Sequence, residues 1–168
     1  MSEQERGTQS RRFHLSDDAR RYFENIGVER KKGDSQSGMF NAYMQPYYLC
    51  MLMGIVKGQK RAPDKMSVDM KRVWVSSAKE TEQEISGLVF YRYCKEKGIG
   101  ENDARVLKLM EGFFASGRAE TYEIEAFSMM NKFAQGGFDY IQENLGVVKD
   151  LADFLVWYLQ ELENGAVE

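Results

Sequence analysis

The side chains in this sequence best suited to act on another molecule are its cations. Arg11, Arg12, Arg30, Lys31 and Lys32 stand towards the amino terminus, and Lys57, Lys60, Arg61, Lys65, Lys71 and Arg72 follow in the first half. Lysine and arginine grouped on loops are what a phosphate-bearing or acidic partner would meet, by charge and by hydrogen bonding together. The alternative is that they are ordinary solvated loop residues. His14, the single histidine, completes the candidate set. A nucleophilic relay or a zinc site would need partners for it, and no Cys/His cluster exists. His14 therefore reads as a surface residue beside Arg12, and no metal ligand or catalytic residue is assigned.

The carboxylates give no acid–base pair. Glu80, Glu82 and Glu84 alternate along a helix start and do not share a face, and Glu120 with Glu123 fits the favourable charge at a helix amino end. No Glu-x-x-His follows, so a di-metal carboxylate bundle is unsupported. The segment Gly54-Ile-Val-Lys-Gly58-Gln-Lys60 lacks the order of a phosphate-binding loop and ends a helix where such a loop would begin one. No cofactor is implied. Cys50 and Cys94 lie in apolar stretches and read as small buried hydrophobes.

The elements that must position these residues follow from periodicity. The chain has 168 residues, 43% hydrophobic, with only two prolines, which suits one helical core. Residues 1–10 are polar and read as a tail, and residues 11–165 as one helical domain. Residues 11–15 alternate as a short extended lead-in, with Phe13 and Leu15 inward and Arg12 and His14 outward. Ser16 caps a helix that Gly27 stops. A loop covers 27–38. The stretch 40–60 follows, in which residues 47–56 carry no charge. It predicts the central buried helix, with a first turn over 40–44 and the main helix from Pro46 to about Lys57. The Gly54/Gly58 spacing reads as close packing or as the helix end.

Residues 58–72 read as an exposed basic loop, with Trp74 beyond it. A helix over 77–97 has Ser77 and Glu80 in capping-box spacing. Asn102 is placed to cap the next, with an inward stripe of Val106, Leu107, Met110, Phe113 and Phe114 ending at Gly117. Another helix starts near Ala119, and Gly136-Gly137 is expected to break or bend it. The last covers 148–163, with Leu151, Phe154, Leu155, Tyr158, Leu159 and Leu162 inward and Asp150, Asp153, Gln160 and Glu161 opposite. The fold class is all-α: a single-domain bundle of about six helices around a central apolar helix.

Charge is divided along the chain. Residues 1–75 hold 14 Lys/Arg against 9 Asp/Glu, and residues 76–168 hold 9 against 17. A basic first half could face a negative partner, or the halves could neutralise each other inside the fold. No signal peptide is read at the amino terminus, and no apolar run approaches the ~20 residues that span a bilayer. The expectation is a cytoplasmic protein with no membrane partner.

The order of a short Ser-capped helix followed by MFNAYMQPYYLCMLMGIVKGQKRAP resembles small helical proteins associated with bacterial DNA-phosphorothioation (Dnd-type) modification and defence clusters. There too an aromatic-apolar helix ends in a Gly and a basic loop closing on Pro. The likeness covers residues 13–63. It implies an accessory role in a DNA-modification or restriction complex, and no catalytic residue is matched. The leading reading is thus a non-enzymatic adaptor that binds a protein partner. The alternative is a ribbon-helix-helix-like DNA-binding regulator, in which strands pair across a homodimer and Arg12 and His14 read bases. In either case the junction of the central helix and the basic loop is the place to test, and Lys60→Glu with Arg61→Glu is expected to spare the fold.

Overall fold

A computed structural model describes residues 12–26, 43–63, 66–69, 82–114 and 122–165. The expected tail, the loop at 27–38, the turn before residue 43, the Ser77/Glu80 cap, Trp74, Gly117 and Ala119 lie outside the described residues. Within them the fold is all-α, as expected: six helices and one short antiparallel ribbon. The chain divides into two compact units, Met1–Phe13 with Lys71–Met130 and His14–Met70 with Asn131–Glu168.

The second unit begins with strand β1, His14–Ser16. Ser16 closes it and caps helix α1, Asp17–Asn25, by accepting the Ala19 N–H at 3.3 Å, while Asp17 and Asp18 occupy the first turn. Helix α2, Met44–Lys57, is the apolar one: Met44, Tyr47, Cys50, Met51, Met53 and Ile55 are all buried. It runs unbroken through Pro46, because a proline in the first turn gives up an N–H that has no partner inside the helix. Gly58 ends it at φ 66°, so the two glycines do different work. A Cβ at Gly54 would collide with the Phe133 carbonyl, whereas Gly58 has open space and a left-handed backbone.

Residues 58–72 are not all loop. Met66–Asp69 forms strand β2, antiparallel to β1, with Leu15 opposite Val68 and His14 opposite Asp69. A four-residue strand carries little periodic signal of its own; its partner lies some fifty residues earlier and supplies the ladder.

Helix α5, Ile124–Leu145, corrects a second expectation. It passes through Gly136-Gly137 without a break. Both glycines face neighbouring backbone: a Cβ on Gly137 would strike the Cys50 carbonyl of α2, and one on Gly136 would strike Gln59. The glycines serve close approach, and the helix tolerates their intrinsic cost of about 1 kcal/mol each. The unit closes with helix α6, Leu151–Gly165, after Gly146 in the left-handed region. Asp150 caps it by accepting the Ala152 N–H at 2.7 Å. Phe154 is edge-on to Phe23 of α1, and the buried Tyr158 hydroxyl donates to the Leu49 carbonyl of α2 at 2.7 Å.

The first unit holds helix α3, Glu82–Glu96, helix α4, Arg105–Phe113, and the start of α5, the division falling after Met130. Its core is aromatic. Phe113 packs on Phe90 and Tyr93, and Phe127 packs edge-on with Phe13 and Tyr122. Asn102 does not cap α4; Asp103 accepts the Arg105 N–H at 2.9 Å and its guanidinium as well, which holds the Asp103 carboxyl down at about 2. The expected inward stripe is also only part right. Phe113 is buried, but Leu107 is 71% exposed and Met110 is exposed too.

Candidate interaction surface

The cationic candidates come first. Arg11, Arg30, Lys31, Lys32, Lys65, Lys71 and Arg72 lie outside the described residues. Arg12 is half-buried and belongs to the first unit. His14 is not outward: it is 6% exposed, and its backbone N–H donates to the Asn131 side chain, which also accepts the Tyr47 hydroxyl. Alternation failed here because Phe13, His14 and Leu15 are buried in succession. Both sides of this short strand are covered, so period two does not separate inside from outside.

Lys57 and Arg61 are tied to the acidic half of the chain. The Lys57 ammonium lies 2.8 Å from Glu161, which also accepts the Tyr140 hydroxyl at 2.6 Å. Burial alone would lower the Lys57 ammonium, but its bonds to Glu161 and Tyr140 outweigh that and leave it raised. The same bonds, Lys57 first, hold the Glu161 carboxyl below its ordinary value. The Arg61 guanidinium clasps Asp139 with two bonds, one at 2.8 Å, and its backbone N–H donates to the Lys132 carbonyl at 3.0 Å. The Lys60 ammonium sits 5.7 Å from the centre of the Phe133 ring. Lys60 and Arg61 therefore fasten the 58–61 loop to α5, and Lys57 ties the end of α2 to α6. Arg61→Glu would set two carboxylates together, so the double reversal at Lys60 and Arg61 would lower stability as well as change the surface charge.

Cavities occur in both units. A polar cleft of about 390 Å³ is lined by Asp17, Arg21, Arg61, Gln135 and Asp139, among others. Gln135 bonds Asp139 at 2.9 Å beside Arg61, so these three satisfy one another, and the one hydroxyl in the lining, Ser16, is the cap of α1. An apolar groove of about 400 Å³ in the first unit is lined by Phe90, Tyr91, Cys94, Ile99 and Val106. Burial raises the Cys94 thiol, which is the opposite of what a reactive cysteine needs.

One buried chain resembles a relay. The Tyr122 hydroxyl lies 2.6 Å from Ser86 Oγ and donates to Glu82 at 3.1 Å. All three side chains are buried, and Ser86 also bonds back to the Glu82 carbonyl one turn earlier in α3. The arrangement fixes the amino end of α3. Among the described residues no group of three or more His, Cys, Asp or Glu is placed to hold a metal ion, and no helix is long and apolar enough to cross a membrane.

Among the described residues, an apolar stripe that folding leaves open runs along α6. Phe154 and Tyr158 point inward and are buried. Ala152, Leu155, Val156 and Leu159 form a second stripe at i, i+3, i+4 and i+7, and all four are exposed. Leu155 is 38% exposed, and Val156 and Leu159 are each 58% exposed; Val147, just ahead of the helix, is at 85%. Leu155 and Leu159 were expected inside and are outside, because Phe154 and Tyr158 already fill the inward face. Glu161, expected on the outer face, turns in to Lys57. The available signal was width: apolar positions cover more of the α6 circumference than one contact can bury.

No protein-family model, no curated protein and no solved structure matches this chain.

Proposed function

We propose that this protein is a non-enzymatic adaptor that binds a protein partner through the outer face of α6. The observation that carries the reading is the exposed stripe Ala152–Leu155–Val156–Leu159 on a helix whose other side is already packed. Scattered exposed apolar residues are ordinary, but a run at helical spacing marks a surface that another element can cover. The cations read as binding residues lend less support, since Lys57 and Arg61 are engaged with Glu161 and Asp139. The likeness of residues 13–63 to Dnd-type accessory proteins suggests that the partner belongs to a bacterial DNA-modification or defence complex.

The DNA-binding alternative gains little support. A ribbon-helix-helix protein pairs its strand with that of a second copy, whereas β1 pairs with β2 of the same chain, and His14 is buried away from any base edge. The adaptor reading is tested by affinity capture from the native host with the wild-type chain and with Val156→Asp/Leu159→Asp. The wild type should retain a defined partner and the variant should lose it while keeping its helical circular-dichroism spectrum. Equal recovery by both would exclude the α6 face.

A further inference from the structure

We infer that the occupant of the α6 face is a basic amphipathic helix, with apolar residues on one side and lysine or arginine along its flanks. The inference rests on the adaptor reading and deepens it by fixing the chemistry of the partner. Its warrant is charge. Residues 147–165 contain four carboxylates, Asp150, Asp153, Glu161 and Glu163, against one cation, Lys149, which precedes the helix. Glu161 is spent on Lys57, and Asp150 caps the helix. Asp153 and Glu163 are exposed and carry no ion pair among the described residues. Helical spacing puts Glu163 on the line of Leu155, Val156 and Leu159, one turn beyond Leu159, and Asp153 along its side.

The exposed apolar stripe is therefore bordered by net negative charge along the helix. That pattern discriminates among occupants. A second copy docked by the same face would bring Asp153 and Glu163 against their equivalents, and like charges across an interface disfavour it. A nucleic acid would meet repulsion in place of counterion release. A membrane surface with anionic lipid is disfavoured for the same reason. A helix with an i, i+3, i+4, i+7 apolar stripe flanked by cations satisfies both parts of the surface: its apolar side covers Leu155, Val156 and Leu159, and its cations reach Asp153 and Glu163. The acidic border would mainly set partner choice and association rate, and the stripe would supply the lasting contact.

The test uses the full chain and a fluorescently labelled Leu/Lys amphipathic helical peptide of about six turns, long enough to cover α6. A Leu/Glu peptide with the same stripe is the comparison. Fluorescence anisotropy should show the Leu/Lys peptide binding at least tenfold more tightly than the Leu/Glu peptide, and more weakly at higher salt. Asp153→Lys/Glu163→Lys should reverse that preference. Val156→Asp/Leu159→Asp should abolish binding, and Val156→Ser/Leu159→Ser, which perturbs the helix less, should weaken it at least tenfold. Equal binding of the two peptides, or Leu/Lys binding untouched by all of these changes, overturns the inference. A concentration-dependent dimer in sedimentation that Val156→Asp/Leu159→Asp dissolves would also overturn it, in favour of a second copy.

Failure here is separable from failure of the adaptor reading. A host partner lost with Val156→Asp/Leu159→Asp but indifferent to Asp153→Lys/Glu163→Lys would sink the basic helix and keep the adaptor. A partner retained by both variants would sink the adaptor itself.

Discussion

Helices α2 and α6 are both rich in apolar side chains and pack against each other, yet only one of them is finished. Around α2 no apolar side chain is left exposed, the least covered (Tyr48, Leu49, Leu52 and Val56) being half-buried: α5 approaches so closely that Gly54 and Gly137 must be glycine, and Tyr158 of α6 bonds to its backbone. α6 is covered on the Phe154/Tyr158 side and bare on the Leu155/Val156/Leu159 side. The difference teaches that apolar content and burial separate once a fold has filled its core. α2 is apolar because folding needs it. The outer half of α6 stays largely exposed after folding, and that excess of apolar surface is what points to a partner.

Four substitutions would break or sharpen this contrast. The largest effect is expected at the inner side of α6, where Phe154→Ala should cost about 3–5 kcal/mol through lost burial and a cavity beside Phe23. A urea midpoint close to wild type would mean that α6 is not part of the core at all. Next is Gly137→Ala, whose new methyl would meet the Cys50 carbonyl. Backbone cannot yield as a side chain can, so a loss of about 3 kcal/mol is expected, at the upper end for overpacking. A neutral thermal melt would show that the α2–α5 approach is looser than described.

A smaller effect belongs to the ion pair that links the two helices. Glu161→Gln should cost roughly 1 kcal/mol near pH 7, since the pair is partly exposed. The sign of its pH dependence is fixed by the shifts. Glu161 is held below its ordinary value of 4.5, so its contribution is present above that value and fades as pH falls through the lowered one. Lys57 is held above 10.5, so its contribution persists at lower pH and is lost as pH rises through the raised value. Wild type and Glu161→Gln should therefore converge in urea unfolding at strongly acidic pH; a constant gap down to acid would remove the pair as its cause. The smallest effect is on the outer side: Leu159→Ser should move stability by no more than about 0.5 kcal/mol. A larger loss would show that this face is structural and would close the contrast with α2.

Much of the architecture was legible in the residues. Ser16, Asp17 and Asp18 mark the start of α1, and the uncharged stretch through Val56 marks α2. Gly58, Gly98 and Gly146 fall where helices need a left-handed residue. These signals are local: a cap or a positive φ is specified by one or two side chains and their own backbone. The misreadings share a different cause. β2 needs β1, the unbroken course of α5 through Gly136-Gly137 needs α2 and Gln59, and the burial of His14 needs the segments that cover it. Each depends on a neighbour distant in sequence.

The candidate site divides along the same line. Composition and order alone settled that α2 is a core helix, that the chain is all-α, and that its charge is split between halves. Whether the basic half meets an outside partner or the chain's own acidic half was open in the sequence. The tertiary structure decided it for Lys57 and Arg61 by bringing Glu161 and Asp139 to them. It also decided which leucines of the last helix are inside. A helix period states which residues share a face, but only the packing of the other elements determines how many faces the core has room to bury.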